Sequence, residues 1–162
     1  MHLTRLLTRE SISVGWPAAE NPKSNDKWSL IADLLFYLSD SNEHVRPLRN
    51  TCLQLVKERE NSMSTGIGDG VAIPHASVPN LKQSAAAMCT LKEGIEFSSI
   101  DRQPVRIVIL ILMPKEEFSR HIQTLAAISA LLHTDSNRRA LLRCSNEDTL
   151  WKKLNQLEKK AN

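Results

Sequence analysis

The chain has 162 residues, enough for one domain with a single core, and its 41% hydrophobic content excludes disordered and fibrous classes. The formal net charge is only +3, and much of the basic excess sits in a C-terminal run (Lys152, Lys153, Lys159, Lys160) that reads as the solvated face of a last helix. A nucleic-acid footprint would need a clustered basic stripe with motif support, and neither is present.

After a short helical or irregular start, residues 11–14 read as a small strand. The polar stretch 17–26 is a loop in which Ser24, Asn25 or Asp26 can cap a helix carrying Trp28, Ile31, Leu34, Leu35 and Leu38 at helical spacing. Pro47 suits the first turn of a second helix with Leu48, Cys52, Leu55 and Val56 on one face, ending near Glu60. A glycine-rich turn follows, holding three of the chain's five glycines (Gly66, Gly68, Gly70), where the backbone needs unusual torsions or close approach. Strands are then expected at 71–73, 84–91, 94–97 and 105–112. The last is so continuously apolar that it should be central and buried on both faces, and Pro114 stops it. A helix over 119–133 should turn Ile122, Leu125, Ala126, Ser129 and Leu132 inward. Asp135 caps a short helix to Arg143, and Ser145 with Asp148 resembles a capping box for a final helix bearing Leu150, Trp151, Leu154 and Leu157. Helices at both ends around a group of strands imply a single layered α/β domain over 1–162, a mixed central sheet flanked by helices on both sides.

Cys52, Cys89 and Cys144 are odd in number and widely spaced, which points to a reducing compartment rather than a disulfide or metal framework. The N-terminus lacks the apolar core of a signal peptide. The longest apolar run, 107–113, is far short of the roughly 20 residues that cross a bilayer. A cytoplasmic protein without membrane insertion is expected.

Five histidines are candidates for chemistry. His2 is terminal, His44 lies in a polar turn, and His133 sits near a helix C-terminus, where a positive side chain complements the dipole. His75 follows a strand and a proline, so its ring is presented in a defined direction. His121 opens a helix after the central strand. It is either a residue of the capping region or a neutral ring donating beside a reactive partner, and spacing alone leaves both open. The GIGDG stretch is neither a dinucleotide fingerprint nor a P-loop, no serine nucleophile elbow exists, and zinc would need more ligands at short spacing. What remains is a nucleophilic histidine in an anion-stabilising neighbourhood.

The segment from Glu60 through Ile67-Gly68 and on through Val71-Ala72-Ile73-Pro74-His75-Ala76 closely resembles the phosphorylation-site signature of type-2 enzyme IIA domains. These belong to the bacterial phosphoenolpyruvate-dependent phosphotransferase system, fructose/mannitol class. Downstream, His121-Ile122-Gln123-Thr124-Leu125-Ala126 resembles the family's second histidine motif, and Arg59 matches its active-site arginine. The resemblance spans roughly residues 5–155 and implies the same mixed sheet between helices.

It further implies that His75 accepts a phosphoryl group from a phosphohistidine on the carrier HPr or a nitrogen-branch equivalent, and that no metal or nucleotide cofactor is required. In that setting Arg59 supplies a charged planar fork and His121 a donor. Ser64 and Thr65 either offer hydroxyls to the phosphoryl group or merely form the turn. Asp69 and Asp101 read as turn acids, and glycines at 66, 68 and 70 would let an incoming protein approach closely. Two roles share this chemistry. One is a stand-alone nitrogen-regulatory IIA acting on a downstream target, favoured by the wording SMSTGIGDGVAIPHA. The other is a sugar-uptake IIA passing phosphate to a IIB component. A binding module that is no longer phosphorylated is a third reading, opposed by intact Arg59, His75 and His121.

Overall fold

The apolar run expected to form a central strand does so. In the computed structural model, which describes residues 3–16 and 26–160, strand β6 (Val105–Pro114) is paired on both edges. In chain order the elements are β1 (Ile12–Trp16), α1 (Lys27–Ser41), α2 (Arg49–Ser62), β2 (Gly66–Gly68), β3 (Val71–Ala72), β4 (His75–Val78), β5 (Ala85–Ile95), β6, α3 (Phe118–His133), α4 (Asp135–Leu142) and α5 (Glu147–Lys160). The sheet runs β1-β5-β6-β3-β2, with β4 also on β6. It is mixed: β5 and β6 are antiparallel, whereas β3 and β4 lie parallel to β6 and β1 parallel to β5.

Side chains alternate across a strand, so β6 serves two cores at once. Val108, Leu110 and Leu112 join α1 and α2 (Leu30, Leu34, Leu38, Cys52, Val56) on one face. Ile107, Ile109, Ile111 and Met113 join Ile128, Leu132, Leu150 and Leu154 of α3 and α5 on the other. The layered expectation is met, with helices on both faces. Trp28 packs on the first core, and Trp16, 8% exposed, stacks edge-on to Tyr37 at 5.6 Å.

Asp26 caps α1, its carboxylate accepting from the N–H groups of Trp28 and Ser29; the rest of the expected 17–26 loop lies outside the described residues, as does His2. Four other expectations shift. Residues 84–91 and 94–97 are not two strands but mostly one, β5, with a register shift between Thr90 and Ile95. Exposed Lys92, Glu93 and Gly94 bulge out of the ladder there, and in sequence such a bulge looks like a turn. The cap of α5 is Asn146 rather than Ser145: its Oδ1 accepts from Thr149 N–H at 2.9 Å, and Thr149 Oγ1 accepts from Asn146 N–H at 3.3 Å. Asp135 lies inside α4 and pairs with Arg139 instead of capping. On α3 the buried stripe is His121, Thr124, Ile128, Leu131 and Leu132, so Ile122 (56% exposed) and Ala126 face outward.

The glycines of the turn serve the chain's own packing. Gly68 has φ +96, a conformation most side chains avoid. A Cβ on Gly66 would come within 2.9 Å of the Ser99 Cα atom, because residues 97–101 press against β2, where Ile100 N–H bonds Gly66 O. Gly66→Ala is therefore expected to cost about 1–3 kcal/mol through overpacking, read as a lower urea midpoint. An unchanged midpoint would show that residues 97–101 yield freely.

Candidate active site

Strands β3 and β4 run along the same edge of β6, separated by Ile73 and Pro74. Pro74 has no N–H for the ladder, but its carbonyl accepts from Ile111 N–H at 2.9 Å, so the chain stays on the sheet through the break. His75 then opens β4, opposite Ile111. Its Nδ1 lies 2.7 Å from Ile73 O. A carbonyl oxygen only accepts, so Nδ1 carries the proton and Nε2 carries the free lone pair. The backbone thus fixes which ring nitrogen is bare.

Three elements converge on this ring. The His121 ring of α3 meets it edge-on, centroids 5.2 Å apart and planes at 89°. Arg59, in the last turn of α2, lies close enough to act electrostatically on both rings, and its Nη1 donates to Met63 O at 2.9 Å. A cavity of about 350 Å³ is lined by Leu55, Glu58 and Arg59 from α2, His75, Ala76 and Ser77 from β4, and His121 from α3. Burial drives the His75 imidazole down to a pKa of about 4, with Arg59 and His121 pushing the same way and the Ile73 bond opposing. Burial and Arg59 also lower that of His121. Both rings are neutral near pH 7, and the guanidinium is the cation of the site.

Of the expected residues, the fold thus brings together His75, His121 and Arg59. Ser64 and Thr65 do not line this cavity. Ser64 Oγ donates to Phe97 O at 2.6 Å and accepts from Gly66 N–H at 3.2 Å, as a turn former does. Thr65 is 4% exposed and gives its hydroxyl and N–H to the Glu60 carboxylate. Asp69 lines a different cavity with Ser129 and His133; its N–H bonds Asp101 and its carboxylate lies 3.6 Å from Arg138. His133 ends α3 as expected, and His44 sits in a turn held by Asn42. Among the described residues, no three His, Cys, Asp or Glu side chains could together hold a metal ion, and no helix is long and apolar enough to cross a membrane.

Two residues were given no role from the sequence. Glu60 is fully buried and ties α1, α2 and the following loop together through Lys27 Nζ at 3.0 Å and through Thr65. Ser77 stands two residues after His75 and therefore on the same face of β4, with its Oγ 3.1 Å from His121 Nδ1. Strand alternation was the signal that could have found it.

Residues 19–157 match the family model for the phosphoenolpyruvate-dependent sugar phosphotransferase system, EIIA 2. The chain belongs to this family. It is 30% identical over 159 residues to the fructose-specific EIIABC component of Bacillus subtilis, covering 98% of this chain and 24% of that protein. A nitrogen regulatory protein of Bradyrhizobium diazoefficiens is 36% identical over 94 residues, 58% of this chain and 61% of that one. The chain thus spans about a quarter of the first relative's length and less than two thirds of the second's. In fold it resembles the crystal structure of nitrogen regulatory protein IIA-Ntr from Neisseria meningitidis, with a TM-score of 0.80 at 24% identity over 93% of this chain and 97% of that one.

The site's electrostatics are open to direct measurement. In a ¹⁵N-histidine NMR titration His75 should protonate near pH 4 instead of near 6.5, and Arg59→Gln should raise that midpoint because a repelling charge is gone. The unfolded ring binds its proton near 6.5, so unfolding free energy should decline as pH falls from 6.5 toward 4, by at most about 1.4 kcal/mol per pH unit from this residue. A His75 midpoint between 6 and 7 would show a solvated ring.

Proposed function

We propose that this EIIA domain is a histidine phosphocarrier that accepts its phosphoryl group on His75 Nε2 from a phosphohistidine of an HPr-like carrier. The reading rests above all on the His75–Ile73 bond, in which Nδ1–H donates to Ile73 O at 2.7 Å and Nε2 is left with the free lone pair. In the transfer, the Nε2 lone pair attacks phosphorus. The new P–N bond forms as the donor's P–N bond breaks, and the donor nitrogen keeps the electron pair of the broken bond. His75 retains its Nδ1 proton, and Ile73 O stabilises the positive charge that the phosphorylated ring acquires. Arg59 is placed to offset the negative charge of the peripheral oxygens, and His121 to donate to one of them. Because both reacting groups are side chains of proteins, the energetic task is positioning and charge stabilisation.

A protein donor also fits the surroundings. Met63, 70% exposed, whose carbonyl accepts from Arg59, and Ile122, 56% exposed and next to His121 in the chain, are apolar side chains open to an incoming protein.

Incubation with phosphoenolpyruvate, enzyme I and HPr should add the mass of one phosphoryl group to the intact protein. His75→Ala should abolish the gain. His121→Ala should still accept, more slowly by on the order of a hundredfold, the cost of removing one transition-state donor. No gain in the unaltered protein would instead indicate a binding module without phosphoryl chemistry, and equal, complete loss in both variants would contradict the division of roles.

We further propose a cytoplasmic, regulatory role in which phosphorylation changes which target the domain binds, in line with its likeness to nitrogen regulatory proteins. Similarity to a fructose-specific component over 98% of the chain favours a second reading, transfer onward to a IIB component in sugar uptake. Mixing the phosphorylated protein with a fructose-type IIB domain separates them: the label should stay on His75 under the regulatory reading, and rapid passage to IIB would establish the transport one.

A further inference from the structure

A neutral imidazole has one N–H, so one nitrogen donates and the other accepts. For His75 the choice is made by a carbonyl. For His121 it is made by a hydroxyl, which can either give or take a proton: Ser77 Oγ lies 3.1 Å from Nδ1 and forms no other hydrogen bond among the described residues. The opposite nitrogen, His121 Nε2, is buried without a partner, in a residue only 6% exposed that lines the cavity. An unpartnered buried polar atom is costly to keep. Such an atom beside a nucleophile marks a place where a bound group completes the hydrogen bond.

The two tautomers have opposite consequences. If Nδ1–H donated to Ser77, the Nε2 atoms of both histidines would present lone pairs to one small cavity and repel an incoming phosphoryl oxygen. If Ser77 donates to Nδ1, then Nε2–H of His121 becomes the donor and His75 Nε2 remains the nucleophile. We infer that Ser77 is a positioning residue for His121: its hydroxyl donates to Nδ1 and thereby holds the ring as the Nε2–H tautomer, aimed at a phosphoryl oxygen. This rests on the phosphocarrier reading above. The fold keeps the geometry rigid. Ser77 is fixed by β4 pairing opposite Met113 of β6, and His121 by its place in the buried stripe of α3. With both groups on regular elements, neither ring nor hydroxyl has to be recruited when a donor arrives.

Two-bond ¹H–¹⁵N spectra of the protein labelled at histidine report the tautomer without any phosphoryl transfer. The unaltered protein should show His121 protonated at Nε2 and bare at Nδ1; the reverse pattern overturns the inference, whatever any variant does. In Ser77→Ala, His121 should lose its single tautomer while His75 keeps its own. With pre-phosphorylated HPr as donor, the transfer rate constant at saturation should fall about tenfold, with the donor's KM within about twofold of normal. Ser77→Thr, which retains the hydroxyl, should restore most of the rate and the single tautomer. An unchanged rate in Ser77→Ala, or a loss that Ser77→Thr does not restore, overturns the positioning role. If the unaltered protein takes no phosphoryl group at all, it is the phosphocarrier reading that fails, and the spectra still decide the tautomer.

Discussion

The arrangement of the site follows from one constraint, that the chain must break its strand at Ile73 and Pro74 while staying on the same edge of β6. A strand that continued without interruption would give its carbonyls to the ladder and its side chains to two fixed faces. The proline interrupts the donors without releasing the backbone, because Ile111 N–H donates to the Pro74 carbonyl. Ile73 O is thereby available to the ring two residues on, at 2.7 Å. A single backbone acceptor settles which nitrogen carries the free lone pair and restrains the ring's rotation. Loops alone would hold a ring far more loosely.

Charge is managed by two neighbouring residues with opposite tasks. Arg59 and Glu60 are consecutive in the last turn of α2, yet one lines the cavity and the other is fully buried. Buried carboxylates are costly unless their oxygens are satisfied. Glu60 is satisfied by Lys27 Nζ and by the N–H and hydroxyl of Thr65. Lys27 in turn lies over the Trp28 ring at 4.9 Å. This cluster pins the end of α2 to α1 and to the loop entering β2, which restrains the helix turn that carries Arg59. The guanidinium then lies beside two neutral imidazoles.

Much of this could be read from the residues, and the failures have specific causes. The run ending at Met113 announced a strand buried on both faces because its apolar residues do not alternate with polar ones. Helical spacing found α1 and α5, where Leu30, Leu34 and Leu38, or Leu150 and Leu154, line one side. On α3 the same reasoning placed Ile122 inward. In the structure the His121 ring itself lies in the buried stripe, which turns Ile122 outward. Lys92 and Glu93 separated two expected strands because a bulge and a hairpin share composition, and only pairing with β6 tells them apart. Ser64 and Thr65 sit close to the histidine motif in sequence, but their hydroxyls are held by Phe97 O and Glu60.

By itself the sequence determined which reactive side chains are available and on which elements they stand. One histidine after a proline, an arginine at the end of a helix and a second histidine at the start of another are covalent facts, and local rules place each on its element. What the tertiary structure decided is which of these groups share a cavity, which way each ring faces and what each nitrogen bonds. Those are matters of contact between segments far apart in the chain, such as Ser77 with His121 or Lys27 with Glu60. Local propensity carries no information about such pairs, because their geometry is set by the packing of two helical layers against one sheet.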